Sequence, residues 1–253
     1  MVCDIASMFG KNKIMKPEIH SGENLDVQEV FSTLQGEGPY VGQPSVFIRL
    51  GGCNLACNFC DTEFDSYNKI SLKKILSRVE KLAKNSKGIV VRKLIVITGG
   101  EPLRQPIERL CEELVKRNFL VQIETNGTLF RKLPKEIKII CSPKISICTP
   151  NRTANASARS PLNKGEPRGK YHQIRPDLLS RINAFKFIIS KNQKNYRDVA
   201  EVGQSKLQIP VYVQPMDEYD EAKNQANLEL AKKLCEEHGY FLSLQTHKIL
   251  GIR

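Results

Sequence analysis

The sequence has no apolar run approaching the roughly 20 residues that a membrane-spanning helix requires. Its first residues, MVCDIASMFGKNKIMKPEIHSGENLD, hold no long apolar stretch and no clear cleavage site. No signal peptide is therefore read there, and the cytoplasm is the expected location. Histidine is scarce, with four residues at 20, 172, 238 and 247, each isolated from the others. Acidic side chains are outnumbered, 27 against 39 Lys and Arg, for a formal charge of +12. The basic residues are scattered and aromatic residues do not interleave with them. The excess reads as solvated lysine faces, and neither a nucleic-acid nor a membrane partner is expected. Nothing in the composition points to disorder or to a collagen-like chain.

What is present is a chain of 253 residues, long enough for one α/β domain with a buried core. Short apolar runs alternate with amphipathic stretches, the pattern of repeated βα units around a parallel sheet. SVFIRL (45–50), KLIVIT (93–98), LVQIET (120–125), IKIICS (137–142), AFKFIIS (184–190), PVYVQP (210–215) and FLSLQ (241–245) read as strands. Between them, Leu72, Ile75, Leu76, Val79 and Leu82 recur at helical spacing behind a possible Ser71 cap. Ile107, Leu110, Cys111, Leu114 and Val115 do the same, as do Ala226, Leu230, Ala231, Leu234 and Cys235. The expected fold is an α/β partial, open β/α barrel. In such barrels the chemistry sits at the C-terminal ends of the strands. Gly51–Cys60, Gly99–Pro102, Glu124–Gly127, Ser142–Lys144 and Gln214–Pro215 all fall at such ends. Residues 146–181, rich in Ser, Asn, Arg, Pro and Gly, break the rhythm and read as a long mobile loop or insertion. Residues 1–20 read as a loose N-terminal extension ahead of a single domain, 21–253.

Of eight cysteines, three stand within eight residues: Gly51-Gly52-Cys53-Asn54-Leu55-Ala56-Cys57-Asn58-Phe59-Cys60-Asp61-Thr62. In a long chain without an export signal this points to a metal or cluster site, not to disulfides. Three thiolates on one tight loop can hold three corners of an iron–sulfur cube. One iron then keeps an open position where a substrate or cofactor can bind. A structural zinc site would take four ligands, and there is no second knuckle to supply them. Cys111 and Cys235 lie on apolar helix faces and Cys141 in a strand, so these read as buried thiols. Cys3 and Cys148 carry no reading.

The spacing Cys-x3-Cys-x-aromatic-Cys, with Phe59 as the aromatic, resembles the signature of the radical S-adenosylmethionine superfamily. Thr98-Gly99-Gly100-Glu101-Pro102 resembles that superfamily's second motif. The resemblance implies a [4Fe–4S] cluster on Cys53, Cys57 and Cys60 whose open iron chelates S-adenosylmethionine and cleaves it to a 5′-deoxyadenosyl radical. Within the superfamily, the segments VQEVFSTLQGEGPYVGQPSVFIRLGGCNLACNFCDT (27–62), ITGGEPL, IETNGT, CSPK, FKFII, VQPMD and LQTHKILGIR resemble the 7-carboxy-7-deazaguanine synthase family. The likeness excludes residues 1–20 and 146–181. It implies a lyase that contracts the ring of 6-carboxy-5,6,7,8-tetrahydropterin with loss of ammonia, on the route to queuosine-type deazapurines. It further implies Mg2+ on Thr62 and the substrate carboxylate on Arg49. Leu34, Gln35 and Gly36 would meet the pterin edge, with Glu37 adding a hydrogen bond, and Thr98 and the terminal carboxylate of Arg253 would also face the substrate. Phe59, Cys60, Asp61, Gly100, Ser142, Pro143, Lys144, Gln214, Pro215, Met216 and Asp217 would line the cofactor. A flavodoxin-like electron donor and a homodimer follow from the same likeness. Asn126 reads as a turn-shaping residue.

Two other functions fit parts of the sequence. A radical activase of glycyl-radical proteins would share the cluster loop and TGGEP but would not need Arg49 or the QTHK segment. A basic nucleic-acid module with zinc on its cysteines rests on the charge alone.

Overall fold

The computed structural model describes residues 12–57, 60, 62–146 and 170–252. The chain begins with a long strand, β1 (Asn24–Leu34), that pairs antiparallel with β2 (Pro44–Leu50) and with β3 (Asn68–Ser71). The helix α1 (Leu72–Ala83) turns its Leu72, Ile75, Leu76, Val79 and Ala83 face inward. Ser71 precedes it but does not cap it with its side chain; the Leu72 amide donates instead to the Glu23 carbonyl at 2.8 Å.

There follow β4 (Leu94–Gly99), α2 (Glu108–Lys116), β5 (Leu120–Thr125), β6 (Lys138–Cys141), a short β7 (Ile145–Ser146) and its antiparallel partner β8 (Lys170–Tyr171). The chain continues through α3 (Pro176–Leu179), β9 (Ile182–Ile189), α4 (Gln204–Leu207), β10 (Val211–Pro215), α5 (Glu221–His238), β11 (Phe241–Leu242) and α6 (Thr246–Ile249). Asp220 caps α5, accepting from the Lys223 amide at 3.0 Å, and Gly239 ends it at φ +70°.

Among the described residues nine strands form one sheet in the order β11-β10-β9-β6-β5-β4-β2-β1-β3. From β2 to β11 all neighbours are parallel. The sheet does not close on itself, as the expected open β/α barrel requires. Its apolar core runs from Leu25 and Val27 through Ile95, Ile97, Val121, Ile123 and Phe185 to Val213, under α1, α2 and α5.

Three features depart from the sequence reading. The first strand is β1, which ends at Leu34 and places Gln35 and Gly36 in the turn between β1 and β2. A register shift between Val27 and Glu29 interrupts its in–out alternation, so no clean period marks it. Second, part of the 146–181 stretch is ordered against the core: Ile174 and Leu178 are buried, and His172 donates from its amide to the Lys144 carbonyl at 2.8 Å. Residues 147–169, with Cys148, lie outside the described part, as does Cys3. Third, residues 12–18 bond to the domain through Asn12 and the Met15 and Glu18 amides. Among the described residues no helix is long and apolar enough to cross a membrane.

Candidate active site

The sheet edge formed by the strand C-termini opens into a cavity of about 710 Å3. Residues from β1, β2, β4, β5, β9 and β10 line it, with others from the turn 35–37, the cysteine loop and α6, so the open sheet curves around it. Bonds between the two sides bridge the gap left by the missing barrel closure. The Thr246 amide and hydroxyl both donate to the Gly36 carbonyl, at 3.0 and 2.9 Å. The Gly38 amide donates to Ser243 Oγ at 3.0 Å, and Ser243 Oγ in turn donates to Gln214 Oε1 at 3.2 Å.

Cys53, Cys57 and Cys60 all line this cavity and none is in a disulfide. The loop that carries them rests on the end of β4. A Cβ on Gly100 would stand 1.9 Å from the Gly52 carbonyl oxygen, so only glycine permits this approach. Gly52 itself has φ +74°, and a Cβ there would meet Met15 and Arg104. The buried Glu101 carboxylate accepts from the Leu103 amide (2.9 Å), Thr125 Oγ1 (2.7 Å) and the Asn126 amide (2.7 Å), tying the end of β4 to the end of β5. Asn126 then donates to Asn54 Oδ1 at 2.9 Å, so it shapes its turn and also holds the cysteine loop.

Burial pushes the Cys53 thiol up to about 12 against the opposing Leu55 N–H. It also raises Cys57, with the Lys144 ammonium working the other way. Thiols in such a setting are neutral until a metal displaces the proton. Among the described residues no three His, Cys, Asp or Glu side chains converge as a single ion requires. A cube asks for less, since each corner iron takes one thiolate, and three thiols on one cavity wall fit that demand.

Away from the thiols, the cavity is strongly charged. Lys186, on β9, is buried and pairs with Glu37 and, at 3.0 Å, with Glu124 on β5. Gln245 donates to Glu37 at 3.0 Å, and Gln35 and Gln122 donate to Glu124 at 3.2 and 3.0 Å. Burial opposes ionisation of Glu37, but the Lys186 charge and the two hydrogen bonds outweigh it and hold the carboxyl at about 2. The Lys186 ammonium is likewise held charged by the two carboxylates, in spite of burial. Arg49 pairs through Nε with Glu29 at 3.0 Å, lies over the Phe31 ring at 5.7 Å and sits beside Thr98 in the β2–β4 register. Phe31 stacks on Phe47 with centroids 5.3 Å apart.

Of the residues singled out in the sequence, Leu34, Gln35, Gly36, Glu37, Arg49, Thr62, Thr98, Gly100, Ser142, Lys144, Gln214, Pro215, Met216 and Asp217 line this cavity with the three cysteines. Pro143 does not line it. The Asp217 carboxylate is engaged by Lys248 at 2.8 Å, Asn224 at 2.8 Å and the Tyr219 amide at 3.0 Å. Lys144 donates to Ser142 Oγ at 2.7 Å. Phe59, Asp61 and Arg253 lie outside the described residues.

The sequence reading missed Lys186, whose signal was a single charge inside the apolar run AFKFIIS. It missed Glu29 and Phe31 because it missed β1. It also missed Asn227, a fully buried helix residue that donates to the Met216 carbonyl and Glu218 and accepts from the Lys191 amide.

Comparison with known proteins agrees with this geometry. Residues 47–160 match the Radical SAM superfamily. The 7-carboxy-7-deazaguanine synthase of Rickettsia prowazekii (strain Madrid E) is 52% identical over 245 residues, covering 97% of this chain and 96% of that one. The chain belongs to the 7-carboxy-7-deazaguanine synthase family. The Rhodospirillum rubrum member of the family is 38% identical over 265 residues, covering 97% of this chain and 100% of its own. The crystal structure of QueE from Escherichia coli shares the fold, with a TM-score of 0.61 and 23% identity over 87% of this chain and 93% of that one. Membership makes this chain a radical S-adenosylmethionine enzyme, for which a [4Fe–4S] cluster and S-adenosylmethionine are the family's cofactors.

Proposed function

We propose that this chain converts 6-carboxy-5,6,7,8-tetrahydropterin to 7-carboxy-7-deazaguanine with loss of ammonia. The observation that carries the reading is one cavity holding both three thiols and a separate set of charged groups suited to an acidic, hydrogen-bonding heterocycle. Cys53, Cys57 and Cys60 would hold the cluster, which when bound would supply the electron for cleaving S-adenosylmethionine. Ser142, Lys144, Gly100 and the stretch Gln214 to Met216 hold that cofactor. Arg49 grips the substrate carboxylate, its plane set by Glu29 on one edge and Phe31 beneath. Glu37, kept ionised by Lys186, and Glu124, paired with the same lysine, accept from the N–H donors of the amino-pyrimidine edge, with Leu34, Gln35 and Gly36 reading the ring beside them. Thr98, next to Arg49, touches the substrate from β4. The Thr62 hydroxyl offers Mg2+ a hard oxygen donor. A flavodoxin-like protein delivers the electron, and the enzyme works as a homodimer in the cytoplasm.

The test is anaerobic turnover of the carboxytetrahydropterin, with mass detection of a product lighter by ammonia. No such product from iron-replete protein would overturn the reading. In the same assay Mg2+ should stimulate turnover, and Thr62→Val should abolish that response while S-adenosylmethionine still binds. A parent-like Mg2+ response in Thr62→Val removes the metal from this residue.

Arg49→Lys keeps the charge but loses the planar fork. Losing a bidentate contact in a desolvated site costs about 2–5 kcal/mol, so KM should rise at least about 30-fold. An unchanged KM assigns the carboxylate to another residue.

A further inference from the structure

Residues 12–18, outside the family likeness read from the sequence, form a clasp on the cysteine loop, with Asn12 lining the cavity. The Met15 amide donates to the Cys53 carbonyl at 2.7 Å, and Ile14 bridges to Cys53 in parallel register. Asn12, only 8% exposed, reaches the other end of the loop. Its Nδ2 donates to the Thr62 carbonyl at 2.9 Å and lies 3.9 Å from Cys60 Sγ, and its Oδ1 accepts from the Phe64 amide at 3.0 Å. Behind these contacts the clasp is locked to the fold. The Glu18 amide donates to the Arg104 carbonyl at 2.7 Å, and Glu18 Oε1 pairs with Arg104 at 2.7 Å. Arg131 donates to the Glu18 carbonyl at 2.7 Å. Arg104, with no exposed surface, also donates to the Gly51 carbonyl at 3.1 Å, at the start of the same loop.

We infer that Asn12 is a positioning residue for the cluster, donating a hydrogen bond to the Cys60 sulfur while it pins the Thr62 carbonyl, so that the N-terminal clasp sets the cluster's potential and retention. The inference rests on the reading of Cys60 as a cluster ligand. An amide nitrogen carries two hydrogens, enough for the carbonyl and the sulfur together. As a thiol, Cys60 itself donates to the Thr62 carbonyl at 3.4 Å. A ligating thiolate has no such hydrogen and is a stronger acceptor, so both changes favour donation from Asn12. Hydrogen bonds to ligand sulfurs are among the determinants of cluster potential.

The experiment compares reconstituted full-length parent, Asn12→Ala and Asn12→Asp. Asp keeps the acceptor for Phe64 N–H and the shape, but replaces the donor with a negative charge beside the sulfur. Both variants should load iron, release it to a chelator about tenfold faster, as loss of a hydrogen bond of ordinary strength implies, and show a more negative cluster midpoint potential. The shift should be larger for Asp. If Asn12→Asp matches the parent in potential and in release rate, the inference fails, even where melting temperature falls. If the parent itself binds no cluster, the reading of the cysteines fails first, and the iron content of the parent separates the two results.

Discussion

Cys57→Ala is expected to strip most of the bound iron and all turnover, while Cys111→Ala keeps both. Cys57 is a better probe than Cys53 because it is half-buried, whereas Cys53 is enclosed and its replacement also disturbs packing. Among the described residues the cavity offers three cysteines and no fourth. A cube held by three thiolates that loses one has two open irons and little to retain it. Cys111 sits on the inner face of α2 with no exposed surface, and burial keeps its thiol protonated. Its replacement should cost about 1 kcal/mol of stability and no iron. Iron content and the brown visible absorption, measured anaerobically on the parent and both variants, check this. Full iron content in Cys57→Ala would sink the cluster assignment.

Lys186→Met is expected to be the most destabilising single change in the cavity. It leaves Glu37 and Glu124 facing each other in a buried setting with their shared cation gone. Removing one partner of a buried ion cluster costs about 3–5 kcal/mol. For a chain of this size that is a fall in Tm on the order of 10 °C. The pH dependence distinguishes this cause from lost packing. In the parent, Glu37 is held at about 2, below its ordinary value near 4.3, so its contribution is fully present above the ordinary value and lost only as pH falls toward 2. Between about pH 5 and 8 it adds no slope. Without the cation, burial becomes the ruling influence and raises the carboxyl above its ordinary value. Stability then falls as pH rises, because the unfolded chain ionises first. The deficit of Lys186→Met should therefore widen from about pH 5 to 8, and Glu37→Gln placed on top of it should restore much of the loss. A deficit constant with pH, or one that Glu37→Gln deepens, assigns Lys186 a packing role only.

The parallel strands were legible because each is a short apolar run ended by Gly, Ser, Pro or Asn, and their ends share one edge of the sheet. The cysteine loop and TGGEP were legible because their chemistry depends on local spacing. The antiparallel β1 was not, since a bulge spoils its alternation and half of its residues are only partly buried. Asn12 stood in a stretch whose composition resembles any polar leader. Its role depends on Thr62, Phe64 and Cys60, about 50 residues away.

Periodicity and motif spacing, which are written along the chain, were enough to read the open α/β architecture, the three-cysteine loop and the family. What bridges the unclosed barrel and what charges its interior emerge only in the folded chain. The Gly36–Thr246 bonds and the Lys186–Glu37–Glu124 cluster join residues 210, 149 and 62 positions apart. A buried charge is tolerable only where its counter-charges arrive from other elements, and that meeting exists only after the chain has folded.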